Sequence, residues 1–199
     1  MANRTLADHI MVFPNALTEE HCRALIERFE SSTEKEVNER ESGHRFEQLN
    51  ITQHWPDQSK LLMHLFFDFL CKYQLSVNAA FWPPKFSFEH LRIKRYLPNG
   101  RDSFPVHVDV MSHVAARRFM TAIIYLNSGS GGETVFPNLD VKVEPTAGKL
   151  IAFPVNWMFP HAGLPPRSTA KYILHTYLCY PDSTGQDSRL EKDLPAQPA

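Results

Sequence analysis

The residues best placed to do chemistry are His107 and Asp109, which close the stretch RIKRYLPNGRDSFPVHVD at 92–109. Residues two apart in an extended chain point to one face, so an imidazole and a carboxylate here can grip one cation. Two ligands rarely finish a site. His161 is the candidate third: it follows Trp-Met-Phe-Pro, precedes Ala162-Gly163, and opens what reads as a return strand. Two imidazoles and one carboxylate on one side of a metal leave the opposite positions open, a donor set of non-haem Fe(II) sites. Zinc with an open position is compatible with the same donors, and a His-x-Asp triplet alone is common by chance. Ten residues after His161, Lys171 opens the last predicted strand. An ammonium there can pair with a dicarboxylate; without its neighbours it would read as a solvated lysine. Of the other histidines, His9, His21, His44, His54 and His64 suit surface or packing roles. His90 and His175 read as structural strand residues, and His113 as a solvent-facing or supporting residue past the turn.

Positioning these groups calls for strands. Phe86 to Tyr96 alternates, with Phe86, Phe88, His90, Arg92, Lys94 and Tyr96 on one face. Further strands are predicted at Phe119–Leu126, Val141–Val143, Lys149–Phe153 and Tyr172–Tyr180, punctuated by glycines and prolines. Ile10–Phe13 is a candidate first strand. Cys22, Leu25, Ile26 and Phe29 fall at helical spacing behind a Thr18 cap, predicting a helix over roughly 18–30. Ser59 is the predicted cap of a second helix with a Leu/Phe stripe from Leu61 to Leu70. The polar segment 31–50 reads as a surface loop. Helices first, then many short strands without a βαβ rhythm, predict a mostly β fold. It reads as a β-sandwich or jelly roll with N-terminal helices against one sheet. One domain is expected over 1–181, with helical support at about 14–80, a jelly-roll core at about 86–180, and a polar tail at 182–199.

A chain of 199 residues can bury a real core. The net charge of -1 gives no reason to expect nucleic acid or an anionic membrane as partner. No apolar run approaches the roughly 18 residues of a membrane span, and the start lacks the apolar middle of an export signal. Three scattered cysteines, Cys22, Cys71 and Cys179, read as free thiols, so a cytoplasmic setting is expected.

The stretch from about Arg92 to Tyr180 resembles the prolyl 4-hydroxylase-like group of 2-oxoglutarate- and Fe(II)-dependent dioxygenases. The resemblance is carried by RY…G…F…HVD at 95–109, RFMTAIIYLN at 118–127, GGETVFP at 131–137, Gly148-Lys149, HAGLP at 161–165 and Lys171. It implies a double-stranded β-helix core in which His107, Asp109 and His161 bind iron and Lys171 holds the distal carboxylate of 2-oxoglutarate. Tyr96 would reach the same co-substrate, Thr121 and Tyr125 would lie on the strand lining its pocket, and Tyr177 would lie near it. O2 is then the second co-substrate, with ascorbate as reductant. A peptidyl proline is the implied substrate, ahead of a free amino acid or other small molecule; a non-catalytic metal-holding module would have no need of Lys171. Three residues separate Tyr96 from Gly100, and three more separate Gly100 from Phe104, where relatives have two and two; Phe104 also replaces their tyrosine. Segments 31–58 and 97–106 are candidate lids by composition.

Overall fold

The computed structural model describes residues 4–79 and 82–181; the expected tail, 182–199, lies outside the described residues. A short 3-10 helix, Leu6–His9, leads into strand β1 (Met11–Phe13) and helix α1 (Glu19–Ser31). Strands β2 (Glu36–Glu39) and β3 (Arg45–Asn50) follow, then the one-turn helix α2 (Ile51–His54) and helix α3 (Pro56–Val77). The strands β4 (Ser87–Phe88), β5 (Arg92–Tyr96), β6 (Phe104–His107), β7 (Arg118–Tyr125) and β8 (Thr134–Phe136) come next. The last four are β9 (Val141–Val143), β10 (Leu150–Pro154), β11 (His161–Gly163) and β12 (Lys171–Cys179).

The pairing is antiparallel throughout. The larger sheet has the order β1-β10-β7-β12-β5-β3-β2, with β4 also on β12; the smaller is β6-β11-β8-β9. Along β7, Met120, Ala122 and Ile124 join one apolar cluster with α1 and α3. The alternate residues Ile123 and Tyr125 join a second, with Phe136 and Val143 of the smaller sheet. A strand buried on both faces loses the polar–apolar alternation of a half-exposed one, which is why FMTAIIYL is almost continuously apolar.

Three expectations are corrected. Segment 31–50 is not a loop: β2 and β3 form a hairpin that extends the larger sheet from β5. Its sequence reads as polar because β2 is an exposed edge, and charged edges resist further pairing. Only Phe46 and Leu49 reach the apolar clusters, while Arg95 of β5 pairs with Glu47. The second helix begins at Pro56, behind Trp55, because proline presets the first helical turn; Ser59 is buried in the helix with its hydroxyl on Thr52. Finally, the predicted strand 86–96 breaks at residues 89–91. There the Leu91 N–H donates to the Thr52 hydroxyl instead of a neighbouring strand.

Candidate metal and co-substrate site

His107 ends β6 and His161 begins β11, and the two stand directly opposite in the antiparallel ladder. Their rings are 4.3 Å apart between centroids. Asp109 lies two residues past the end of β6, in a bend, so the carboxylate is carried by the turn and not, as expected, by the strand. Its Oδ1 is 3.4 Å from His107 Nε2 and its Oδ2 is 3.7 Å from His161 Nε2. Among the described residues this is the cluster of histidine and acid donors able to surround one ion, with ligand atoms all within 4.8 Å of one another.

The histidine orientations fit a metal. Each Nδ1–H donates to a nearby backbone carbonyl: His107 to Pro105 O at 2.8 Å and His161 to Phe159 O at 3.1 Å. A carbonyl only accepts, so the proton must sit on Nδ1, and the Nε2 lone pairs face Asp109. The Tyr177 hydroxyl donates to Asp109 Oδ1 at 2.6 Å and fixes the carboxylate. Burial alone would push the Asp109 carboxyl up; the His107 contact, the neighbouring His161 and the Tyr177 hydroxyl together hold it well below the usual carboxylate range. The carboxylate is therefore ionised and ready to bind a cation. Phe104 stacks on the His107 ring at 3.8 Å between centroids and is itself backed by His44.

A cavity runs from this cluster to Lys171. Side chains two apart on one strand share a face. Thus Lys171, Ile173, His175 and Tyr177 of β12 all line it, beside Lys94 and Tyr96 of β5 and Thr121 and Ile123 of β7. Lys171 is deeply buried, and that burial pushes its ammonium down to about 7, partly opposed by Glu133. Its Nζ lies 5.3 Å from the Tyr96 ring and 5.5 Å from the Tyr125 ring. Gly132, with φ +74, leaves room for its stem: a Cβ there would sit 2.9 Å from Lys171 Cδ. That contact gives the GGETVFP stretch a physical role beside the lysine.

Tyr125 lies on β7, the strand that carries Thr121 and Ile123 into the cavity, and donates its hydroxyl proton to Thr134 Oγ1 at 2.6 Å; Thr134 lines the cavity itself. Thr121 lines the cavity at its Tyr177 end, bonded to His175 Nε2 at 3.0 Å. His90 is exposed and His113 is exposed, away from the cluster. His175 was expected to be structural, yet it lines the cavity, fully buried, with Nδ1 unpartnered. Lys94 is the other residue missed. Both were findable from strand periodicity, since Lys94 shares a face with Tyr96, and His175 with Lys171 and Tyr177.

A family model for the 2OG-Fe(II) oxygenase superfamily matches residues 91–179, which hold every one of these ligands. The match covers just under half of the chain. Members of that superfamily use Fe(II), 2-oxoglutarate and O2, and the donor set just described suits these residues to all three. A putative prolyl 4-hydroxylase of Acanthamoeba polyphaga mimivirus is 32% identical over 145 residues, covering 64% of this chain and 57% of that protein. The chain thus spans a little over half the length of that curated relative.

Solved structures share the fold. The viral collagen prolyl hydroxylase of Paramecium Bursaria Chlorella virus-1, in its 2OG complex, superposes with a TM-score of 0.62 at 21% identity, over 87% of this chain and 97% of that one. A Pseudomonas putida prolyl-4-hydroxylase gives 0.63 at 23%, over 87% and 94%. A Trichoplax adhaerens prolyl hydroxylase, in complex with a hypoxia inducible factor oxygen degradation domain peptide fragment, gives 0.69 at 15%, over 86% and 84%. The chain therefore has the double-stranded β-helix fold, with the N-terminal helices backing its larger sheet.

Proposed function

We propose that this protein is a 2-oxoglutarate- and Fe(II)-dependent dioxygenase that hydroxylates a C–H bond of a peptidyl proline, with 2-oxoglutarate leaving as succinate and CO2. The observation that carries this reading is one cavity with a His107–Asp109–His161 cluster at one end and a buried lysine at the other. A binding module or a hydrolytic zinc site has no use for that second feature.

In this reading His107, Asp109 and His161 hold iron, and Lys171 takes the distal carboxylate of 2-oxoglutarate. Iron with its 2-oxo acid supplies the O2 activation and hydrogen abstraction, chemistry that belongs to the cofactor pair. The chain supplies placement. Tyr177 keeps the Asp109 carboxylate turned toward the two imidazoles. The Tyr96 and Tyr125 rings flank the Lys171 ammonium, which stabilises its charge while excluding water from the distal end. Ile123, Ile173 and Phe104 form apolar walls along the cavity. Ascorbate would serve only to restore iron to the ferrous state.

A polypeptide substrate is supported by the surface next to the ligands. Val106, Met111 and Trp157, each more than half exposed, flank His107, Asp109 and His161 in sequence and offer apolar contact to an extended chain. The named relatives add support, since one solved relative holds a peptide fragment. None of the described helices is long and apolar enough to cross a membrane; a cytoplasmic setting is proposed from the unpaired cysteines.

The test is incubation with Fe(II), 2-oxoglutarate and a panel of proline-containing peptides, free amino acids and partner proteins. Mass spectrometry reads the gain of one oxygen, and succinate release is followed in parallel. A peptide product that disappears in Asp109→Ala supports the reading. Succinate release indifferent to Asp109→Ala would remove the cluster from the chemistry.

A further inference from the structure

Lys94 is a second buried ammonium in this cavity that the distal-carboxylate role leaves unused. It sits on β5 opposite Ile173, while Lys171 on β12 sits opposite Tyr96. Neighbouring strands about 4.8 Å apart and a two-residue step of about 6.8 Å put the two lysine Cα atoms about 8 Å apart on the diagonal. Both side chains project from the same face into the cavity. Among the described residues no carboxylate pairs with Lys94; its ammonium lies instead over the uncharged Phe46 ring, 4.9 Å from the centroid. The ammonium nevertheless lies within electrostatic reach of both Asp109 and Lys171. Along β12 the register runs from Lys171 through Ile173, opposite Lys94, to Tyr177, whose hydroxyl meets Asp109 of the cluster.

An unpaired buried ammonium is costly to a fold, so its partner is to be sought in whatever fills the cavity. Burial pushes the Lys94 ammonium down to about 8, with Asp109 opposing; an anion arriving beside it would return the charge. A five-carbon 2-oxo dicarboxylate has two anionic ends. Lys171 lies at the end away from the cluster, and Lys94 is offset from it, toward the cluster, by a distance on the scale of such a chain. A second carboxylate on a substrate is the competing partner, but a substrate must enter past the metal ligands, whereas Lys94 lies on the strand beside Lys171.

Resting on the dioxygenase reading above, we propose that Lys94 is a co-substrate-binding residue that grips the 2-oxo-acid end of 2-oxoglutarate, so that the molecule is held by an ammonium at each terminus.

The two ends can be separated with two ligands, 2-oxoglutarate and 2-oxovalerate, which keeps the chain length and 2-oxo acid but lacks the distal carboxylate. Binding is read anaerobically, with Fe(II)-loaded protein, as the visible charge-transfer band, and with Mn(II) by calorimetry, so turnover is not involved. Lys94→Met is expected to weaken both ligands by a similar factor, about 10- to 100-fold, the scale of one lost charge-assisted contact. Lys171→Met is expected to weaken 2-oxoglutarate alone. Unchanged affinity for both ligands in Lys94→Met overturns the proposal and points to a substrate carboxylate; loss confined to 2-oxoglutarate overturns it too, placing Lys94 at the distal end. Should Lys94→Met fail to fold, Lys94→Gln, uncharged and of similar length, is read in the same way. A wild-type protein that gives no band with 2-oxoglutarate would instead sink the dioxygenase reading itself.

Discussion

Replacing Tyr177 by Phe deletes one hydroxyl and leaves a ring, and its effect on metal affinity can be worked out beforehand. The hydroxyl donates to Asp109 Oδ1 at 2.6 Å, and the Asp109 side chain is only 5% exposed, so water cannot take over the contact. A hydrogen bond to a buried charged group contributes about 1.5–3 kcal/mol. At about 1.4 kcal/mol per decade, that is roughly 10- to 100-fold in affinity, the range in which partners of metal ligands usually act. The ring should stay in place, because Arg118 lies over it at 4.0 Å and is itself held by Glu89. Y177F is therefore expected to fold normally and to bind Fe(II) or Mn(II) about 10- to 100-fold more weakly, measured anaerobically against a competing chelator. At saturating metal much of its turnover should return. An affinity within twofold of wild type would refute the claim that Tyr177 orients the carboxylate.

Other outcomes follow from the same structure. In the metal-free protein, the Lys171 ammonium is held at about 7 in the fold against 10.5 in the free side chain. The unfolded chain then binds more protons between those values, so stability should rise from about pH 7 to 10. Lys171→Met should flatten that rise in urea melts and increase the apo melting temperature at neutral pH. Asp102 is fully buried and accepts from Arg45, the Leu97 N–H and Asn99. Asp102→Ala leaves Arg45 only its Glu39 contact and strips the Leu97 N–H and Asn99 of their acceptor; it should cost about 1–3 kcal/mol in denaturant melts. Burial alone would raise this carboxyl, but those donors hold it below its usual value; its contribution is present above the ordinary carboxylate pKa of about 4 and should be lost as pH falls through the lower folded value. Gly132→Ala meets both a left-handed φ of +74 and the Lys171 stem; 2-oxoglutarate binding should weaken while metal affinity holds, checked by paired titrations.

Much of this was legible because strands expose their chemistry with period two. His107 and Asp109 announced a ligand pair, although Asp109 lies in the bend past β6, and the apolar runs at 119–126 and 150–153 read as strands. The hairpin at 36–50 was not legible, because an edge strand such as Glu36–Glu39 carries charges for reasons unrelated to burial. Nor was the loop from Tyr96 to Phe104 legible in its structure: its composition suits a lid, yet Asp102 ties Leu97, Asn99 and Arg45 into one hydrogen-bonded unit. His175 and Lys94 escaped for a different reason. A lone histidine or lysine in a strand is usually packed or solvated, and only the convergence of β5 and β12 on one cavity gives them another meaning.

The position of β12 also bears on how the protein can be made. This strand lies between β7 and β5 at the centre of the larger sheet, yet it is the last of the described strands in sequence. During synthesis, β5, β7 and β10 emerge while their central partner is still missing, leaving β5 and β7 with open apolar edges. Such edges recruit other chains. The contacts that close them join residues about 50 to 80 positions apart, which makes closure slow. During that interval the metal ligands lack Tyr177 and 2-oxoglutarate lacks Lys171, since both arrive on the same late strand. A nascent chain stopped short of residue 179 is therefore a natural client for a holding chaperone, and fragments of the oxygenase domain lacking β12 should be recovered as aggregates.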